Sequence, residues 1–170
     1  TATTGNVQLG QSGKILGGTS TSAGAQLVVP VGVTNSTLDG VTLNTDVTVS
    51  NSSTLQVQNG LTFAGGHKIT LANAGSNTFL TFTGLSQTLG GTGEVVFGGT
   101  AASNFFDVNL TAGNTLTIAP TVTVHSGTGA QGGTIRSFTG NTIVNAGTIS
   151  SDAGKLIAIT NSAGTGTLVN

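Results

Sequence analysis

The sequence predicts an all-β fold: a right-handed parallel β-helix (β-solenoid) of about eight coils, in which residues 1–170 form a single domain. Three observations lead to this prediction. Short β-prone runs recur along the whole chain, glycine corners separate them, and no window shows helical periodicity. The stretch from Gly84 to Gly99 contains the pattern in one line, with β-prone runs alternating with Gly-rich corners. Such a rhythm is typical of stacked, similar coils.

The short runs are mostly apolar-polar-apolar triplets. Val41–Leu43, Val47–Val49 and Leu61–Phe63 are examples, and their period of two places one side inward and the other outward. The residues that we expect to line the interior in stacks are Leu43, Leu61, Phe63, Leu71, Phe82, Leu116, Ile118, Val124 and Ile143.

The spacing of the runs separates a solenoid from a β-sandwich. Runs begin at Val41, Val47, Leu55 and Leu61, only six to eight residues apart, whereas sandwich strands are longer and more widely spaced. Corners such as Asn59-Gly60 suit the positive φ that turns between coils require. With roughly 20 residues per coil, the chain would complete about eight coils.

Composition excludes several classes of protein. Only 5% of residues are charged and the net charge is -1, so there is no basic patch for nucleic acid, and Trp and Tyr are absent as stacking platforms. No apolar run approaches the ~20 residues of a spanning helix. We therefore expect neither a nucleic-acid partner nor membrane insertion.

The chain contains no cysteine, which removes disulfides, thiolate catalysis and cysteine-ligated metals. Residues Thr1–Thr4 have neither a basic start nor an apolar core, and no initiator Met is present. We expect either a processed product or a segment of a longer protein.

The ionisable residues are too scattered to predict an active site, so no catalytic, cofactor-binding or metal residues are assigned, and no cofactor is expected. With coils of about 20 residues, Asp46 and His67 would stack one coil apart, and Glu94, His125 and Arg136 could approach each other. The two histidines are expected at corners, bonded to backbone carbonyls. The primary prediction is a protein that is not an enzyme. A carbohydrate-active solenoid enzyme is the alternative, favoured if these pairs stack in a concave groove.

The calcium-binding nonapeptide is absent, because Gly90–Gly93 is followed by Glu94 where that motif requires Asp. Phe105 and Phe106 are adjacent and cannot both face inward, so one should fill the core. The other should pack under a loop or serve as an exposed aromatic for assembly or binding. Threonine often occupies the polar triplet position, and a flat threonine ladder would instead favour an ice- or glycan-binding module.

Three segments carry a resemblance to a known group of proteins: Asn114–Gly129, Ile143–Ser150 and Gly166–Asn170. They resemble the repeats of autotransporter-passenger and filamentous-haemagglutinin-like bacterial β-strand-repeat surface proteins, over roughly residues 40–170. The resemblance implies a right-handed parallel β-helix outside the cell with adhesive, matrix or scaffold roles. It carries over no functional residues.

The functional expectation is an extracellular or bacterial cell-surface β-solenoid with a structural or adhesive role. Its open ends, near Gly5 and Asn170, would add strands from copies of itself head-to-tail into filaments, or the chain would form part of a large surface protein. Surface glycans are the other expected partners.

Overall fold

In a computed structural model, the described residues are 5–21, 24–127, 131–152, 154–162 and 165–170, and within these ranges every regular element is a β-strand. The strands are β1 Val7–Gln8, β2 Lys14–Leu16, β3 Thr19–Thr21, β4 Leu27–Val29, β5 Ser36–Asn44, β6 Val47–Ser50, β7 Thr54–Asn73, β8 Thr78–Gly84 and β9 Gln87–Gly99. They continue as β10 Asn104–Leu110, β11 Thr115–Ile118, β12 Val122–Ser126, β13 Gly133–Ser137, β14 Thr142–Asn145, β15 Thr148–Ser150, β16 Ile157–Asn161 and β17 Thr167–Val169. In the described ranges, no helix is long and apolar enough to cross a membrane.

All pairings between strands are parallel, and they form three ladders that run the length of the stack. The first face joins β1, β4, β6, the end of β7, the end of β9, β12 and β15. The second face joins β2, the start of β5, the start of β7, β8, β10, β13 and β16. The third face joins β3, the end of β5, the middle of β7, the start of β9, β11, β14 and β17. The predicted β-solenoid is confirmed.

The number of coils is smaller than predicted. The first face has seven rungs, in which Val7, Leu27, Val47, Ile69, Val95, Val124 and Ile149 are stacked, so the chain makes about six turns instead of about eight. The first coil, from Val7 to Leu27, is 20 residues long, but the coil from Val95 to Val124 takes 29. The additional residues lie in longer strands, such as β10 against β2, which a uniform coil length ignores.

The core is one continuous stack of apolar side chains inside the three faces. All nine residues predicted to line the interior are buried there. Alternation explains this result, because inward apolar and outward polar positions follow each other in nearly every strand. The predicted register is therefore confirmed.

Glycine is required where neighbouring coils approach closely. Gly91 has φ of 77°, and a Cβ at this position would lie 1.9 Å from the carbonyl oxygen of Phe63 on the preceding coil. A side chain there would displace the backbone of the adjacent rung, so glycine is the residue that packs at this corner without strain.

At both ends of the stack, interior columns reach the surface. Val7 stacks on the buried Leu27 but is itself 55% exposed, and Ile159 stacks on the buried Ile135 but is 47% exposed. Within the described residues, these side chains occupy core positions with a neighbouring coil on one side only.

Candidate functional site

Ionisable side chains meet on the first face and its corners, where two histidines contact carboxylates of neighbouring coils. His67 Nδ1 lies 2.9 Å from Asp46 Oδ1, and the Lys68 backbone N–H donates to the same oxygen at 3.2 Å. Both side chains are partly exposed and line a groove of about 360 Å³ together with Asn6 and Gln26. The predicted stacking of Asp46 and His67 is confirmed.

His125 lies farther along the same face and contacts carboxylates from two coils. Its Nδ1 is 2.8 Å from Asp152 Oδ2 and its Nε2 is 3.4 Å from Glu94 Oε2. Register explains the arrangement, because β12 pairs with β9 on one side and β15 on the other. Both ring nitrogens are thus engaged between coils, and the imidazole links three successive rungs.

The expected approach of Glu94 and His125 is confirmed, but the structure places Arg136 elsewhere. Arg136 lies on the second face, in β13, opposite Asp107 of β10. The prediction used sequence distance alone, and a coil of 29 residues carries Arg136 past the first face. Asp152, which the sequence analysis did not connect to His125, takes the place expected for a third charged group.

The expectation that the histidines bond to backbone carbonyls is only partly met. His125 Nδ1 is 3.1 Å from the carbonyl oxygen of Ser126, but its shorter contact is to the carboxylate of Asp152. His67 Nδ1 contacts the Asp46 carboxylate. These pairs could be predicted only from the alignment of residues between successive coils. That alignment requires the true length of each coil.

Arg136 forms the tightest ion pair of the described chain. Its Nε and one terminal nitrogen donate to Asp107 at 2.7 and 2.6 Å, a bidentate contact on a carboxylate that is nearly buried. Burial raises the pKa of the Asp107 carboxyl, and the Arg136 guanidinium opposes that rise without cancelling it. The pair therefore holds a charge in a largely desolvated position.

Aromatic rings support this guanidinium. Its central carbon lies 4.1 Å from the Phe105 ring centroid, and Phe105 stacks on Phe79 at 5.1 Å. Phe106 points the other way, is fully buried and packs on Phe82. The prediction that one of the two adjacent phenylalanines fills the core is confirmed. The other lies on the outer surface of the sheet beneath Arg136.

At the second-face edge of the N-terminal coils, Lys14 Nζ lies 2.9 Å from Asp39 Oδ2, and Asn59 donates to the other carboxylate oxygen at 2.7 Å. These hydrogen bonds, that of Lys14 foremost, lower the pKa of Asp39. The contacts join three coils in the same manner as His125.

Among the residues that the structure describes, no group of three His, Asp or Glu side chains is arranged to hold a metal ion. The ion pairs join neighbouring coils, and their geometry is that of cross-links along the stack. The chain matches no protein-family model, no curated protein and no solved structure.

Proposed function

We propose that the chain is a structural or adhesive β-solenoid of the bacterial cell surface or extracellular space, extended at its ends by further copies of itself. The observation that carries this proposal is the exposure of core positions at both ends of the stack. Val7 and Ile159 occupy interior columns, and the described part of the chain places a coil on only one side of each. Unpaired parallel strands with apolar side chains favour addition of another strand.

The two ends are compatible with each other on the first face. Its interior column ends on Val7 at one end and on Ile149 at the other, so a head-to-tail junction would continue the column with two β-branched apolar residues. Joining opposite ends is a heterologous contact, which repeats without closing and builds a filament. With a net charge of -1, electrostatic repulsion between copies is small.

The cell-surface assignment rests on composition and on the resemblance to bacterial β-strand-repeat proteins. A chain without cysteine depends on no disulfide for its fold, and with only 5% charged residues it has few ion pairs. Inter-coil hydrogen bonds and apolar columns supply the cohesion, as a long rod between a cell and its surroundings requires.

The test is electron microscopy and light scattering of the purified chain over a range of concentrations. We expect filaments that lengthen with concentration and that shorten in the variants Val7→Asp and Ile159→Asp. Leu85→Asp is the matched control, because Leu85 is 66% exposed in a corner in the middle of the stack, away from either end. A discrete monomer at high concentration would contradict head-to-tail assembly. So would equal shortening by the control.

A carbohydrate-active enzyme is the second candidate, favoured by the Asp46–His67 pair in its groove. In such an enzyme, His67 would act as a general base oriented by Asp46. Glycoside hydrolysis usually needs two carboxylates across one bond, and the described lining of the groove contains one. The chemistry that fits is β-elimination, in which His67 Nε2 takes the proton beside the uronate carboxylate, the C–O bond to the leaving sugar breaks, and the imidazolium or water protonates the leaving oxygen. Release of unsaturated sugars from uronate polysaccharides, lost in His67→Gln and retained in His125→Gln, would establish it. No release from any such polysaccharide would exclude it.

A further inference from the structure

The third face differs from the other two in charge. All eleven ionisable side chains of the protein lie on the first and second faces or on the corner segments beside them. The strands of the third face present outward only hydroxyl, methyl, amide and glycine positions. No ionisable side chain stands on a described strand of the third face, and Asp46 and His67 lie at the corner that joins it to the first face.

The C-terminal half of this face carries two outward columns in register. One column is Thr115, Thr142 and Thr167, and the other is Thr88, Thr117, Val144 and Val169. We call these seven residues the hydroxyl–methyl array. Between them, Leu116 and Ile143 point into the core, which fixes the array on the outer surface.

The array is rigid and its polar groups are free to bind. All seven residues are β-branched, with few χ1 rotamers, and stand on strands paired to neighbouring coils. None of the five threonine hydroxyls forms a hydrogen bond with another described residue, and every member of the array is at least partly exposed. Rungs repeat at about 4.8 Å, and alternate residues along a strand at about 6.6 Å, so the columns form a two-dimensional grid.

Such a grid suits a ligand that is flat, uncharged and periodic. A charged polymer would find no opposite charge on the third face. A sugar chain would lack an aromatic platform, because the phenylalanine of this face, Phe63, is buried. An ordered water lattice offers donors and acceptors at regular spacing to the hydroxyls, and methyl groups favour ordered water around them. Because the side chains are already fixed, binding orders few of them.

From these observations we propose that the hydroxyl–methyl array binds the surface of ice. The inference is independent of filament formation, since it concerns outward side chains of the third face and not the interior columns that end at Val7 and Ile159. A protein could form filaments without binding ice, or bind ice as a monomer.

The experiment uses the complete chain and measures thermal hysteresis, inhibition of ice recrystallisation and incorporation into a growing ice hemisphere. Thr117 lies near the centre of the array, and Thr117→Lys should abolish most of each activity by placing a bulky charge among the hydroxyl and methyl groups. Thr123→Lys is the matched control, because Thr123 is a partly buried outward threonine on the first face, next to Glu94. It should leave the three activities unchanged.

Two further variants separate the chemical groups. Thr117→Val keeps the shape and removes the hydroxyl, whereas Thr117→Ser keeps the hydroxyl and removes the methyl. We expect a larger loss of ice activity in Thr117→Ser, because the next two rungs of the same column already carry valine, at Val144 and Val169. Thermal unfolding of each variant confirms that the fold is retained.

Exclusion of the wild-type chain from growing ice would overturn the proposal. So would ice activity in Thr117→Lys equal to that of the control. Binding to insoluble cellulose that Thr117→Lys abolishes, without any ice activity, would overturn it in favour of a neutral glycan ligand.

Discussion

Two isoleucines in one interior column show how differently the middle and the end of the stack are held. Ile135 lies between Phe106 and Ile159 and is fully buried. Ile159, one rung farther, has the same side chain and the same position in its strand, but nearly half of it is exposed. Burial in this protein comes from the coils above and below, so the contribution of a residue depends on how many neighbouring coils it has.

The largest expected effect tests this comparison directly. Ile135→Ala should lower the free energy of unfolding by about 2–5 kcal/mol, since it leaves a cavity between two coils. Ile159→Ala should cost less than about 1 kcal/mol, because its side chain is half hydrated in the folded protein. Urea denaturation followed by circular dichroism measures both. Equal losses of unfolding free energy would mean that another copy covers the terminal coil in solution. Repeating the measurement at low concentration, where filaments are absent, tests for that case.

The second prediction concerns the buried ion pair one rung from the end. Arg136→Met should lower stability at neutral pH by about 3 kcal/mol, because it leaves the Asp107 carboxylate desolvated and unpaired. Arg136 is partly exposed, which keeps the loss from being larger.

This loss should shrink as the pH falls. Burial raises the folded-state pKa of Asp107 above its ordinary value, and removing Arg136 takes away the group that opposes the rise. A raised folded-state pKa contributes stability below the unfolded-state pKa and loses it as the pH increases through the folded-state value. Stability curves of the variant and the wild type should therefore converge toward pH 4. If the difference in unfolding free energy between variant and wild type stayed constant from pH 7 to pH 4, the prediction that Asp107 is charged and buried at neutral pH would be wrong.

The third prediction compares two glycines that both have positive φ, of which only Gly91 is closely packed against a neighbouring coil. The difference between the two alanine variants measures the cost of the close packing apart from the cost of the backbone conformation. Gly91→Ala should cost about 2–3 kcal/mol, because the new methyl group meets the backbone of Phe63 in addition to the left-handed strain. Gly66 also has positive φ, but a Cβ there meets no atom within 4 Å, so Gly66→Ala should cost only about 1 kcal/mol. Thermal unfolding of the pair gives the difference. Equal losses of unfolding free energy in the two variants would show that the backbone around Gly91 moves to accommodate the methyl group.

The smallest effect is expected at His125. Asp152→Asn should lower stability by less than about 1 kcal/mol, because the carboxylate is half exposed and the Ser126 hydroxyl still accepts from the residue 152 backbone N–H. Hydrogen exchange should nevertheless report faster opening of β15. Unchanged exchange in β15 would show that the imidazole bridge does not hold this rung.

Much of the fold could be predicted from local pattern, whereas the contacts between coils could not. Alternation placed Phe82 and Ile118 in the core because inward and outward positions depend only on a period of two. Which polar residues meet depends on the length of each coil, and that length varies along the chain. The Asp46–His67 pair fell within a coil near the assumed length and was predicted, but Arg136 lay beyond a longer coil and met Asp107 instead.

The hydroxyl–methyl array illustrates the same limit on the third face. Threonines at 115, 142 and 167 are separated by unequal intervals, so the sequence shows no constant repeat that would align them. Only the pairing of β11 with β14 and of β14 with β17 reveals that they form one column.

The unequal coil lengths have a consequence for engineering the protein. Natural coils of 20 and 29 residues keep their rungs in register although the longer coil has longer strands, so the stack tolerates coils of different length. The corner around Leu85 should accept a foreign peptide without disturbing the sheet, since its side chain contributes little to the core. Peptides grafted at corners of successive coils would be displayed in a row at increments of about 4.8 Å.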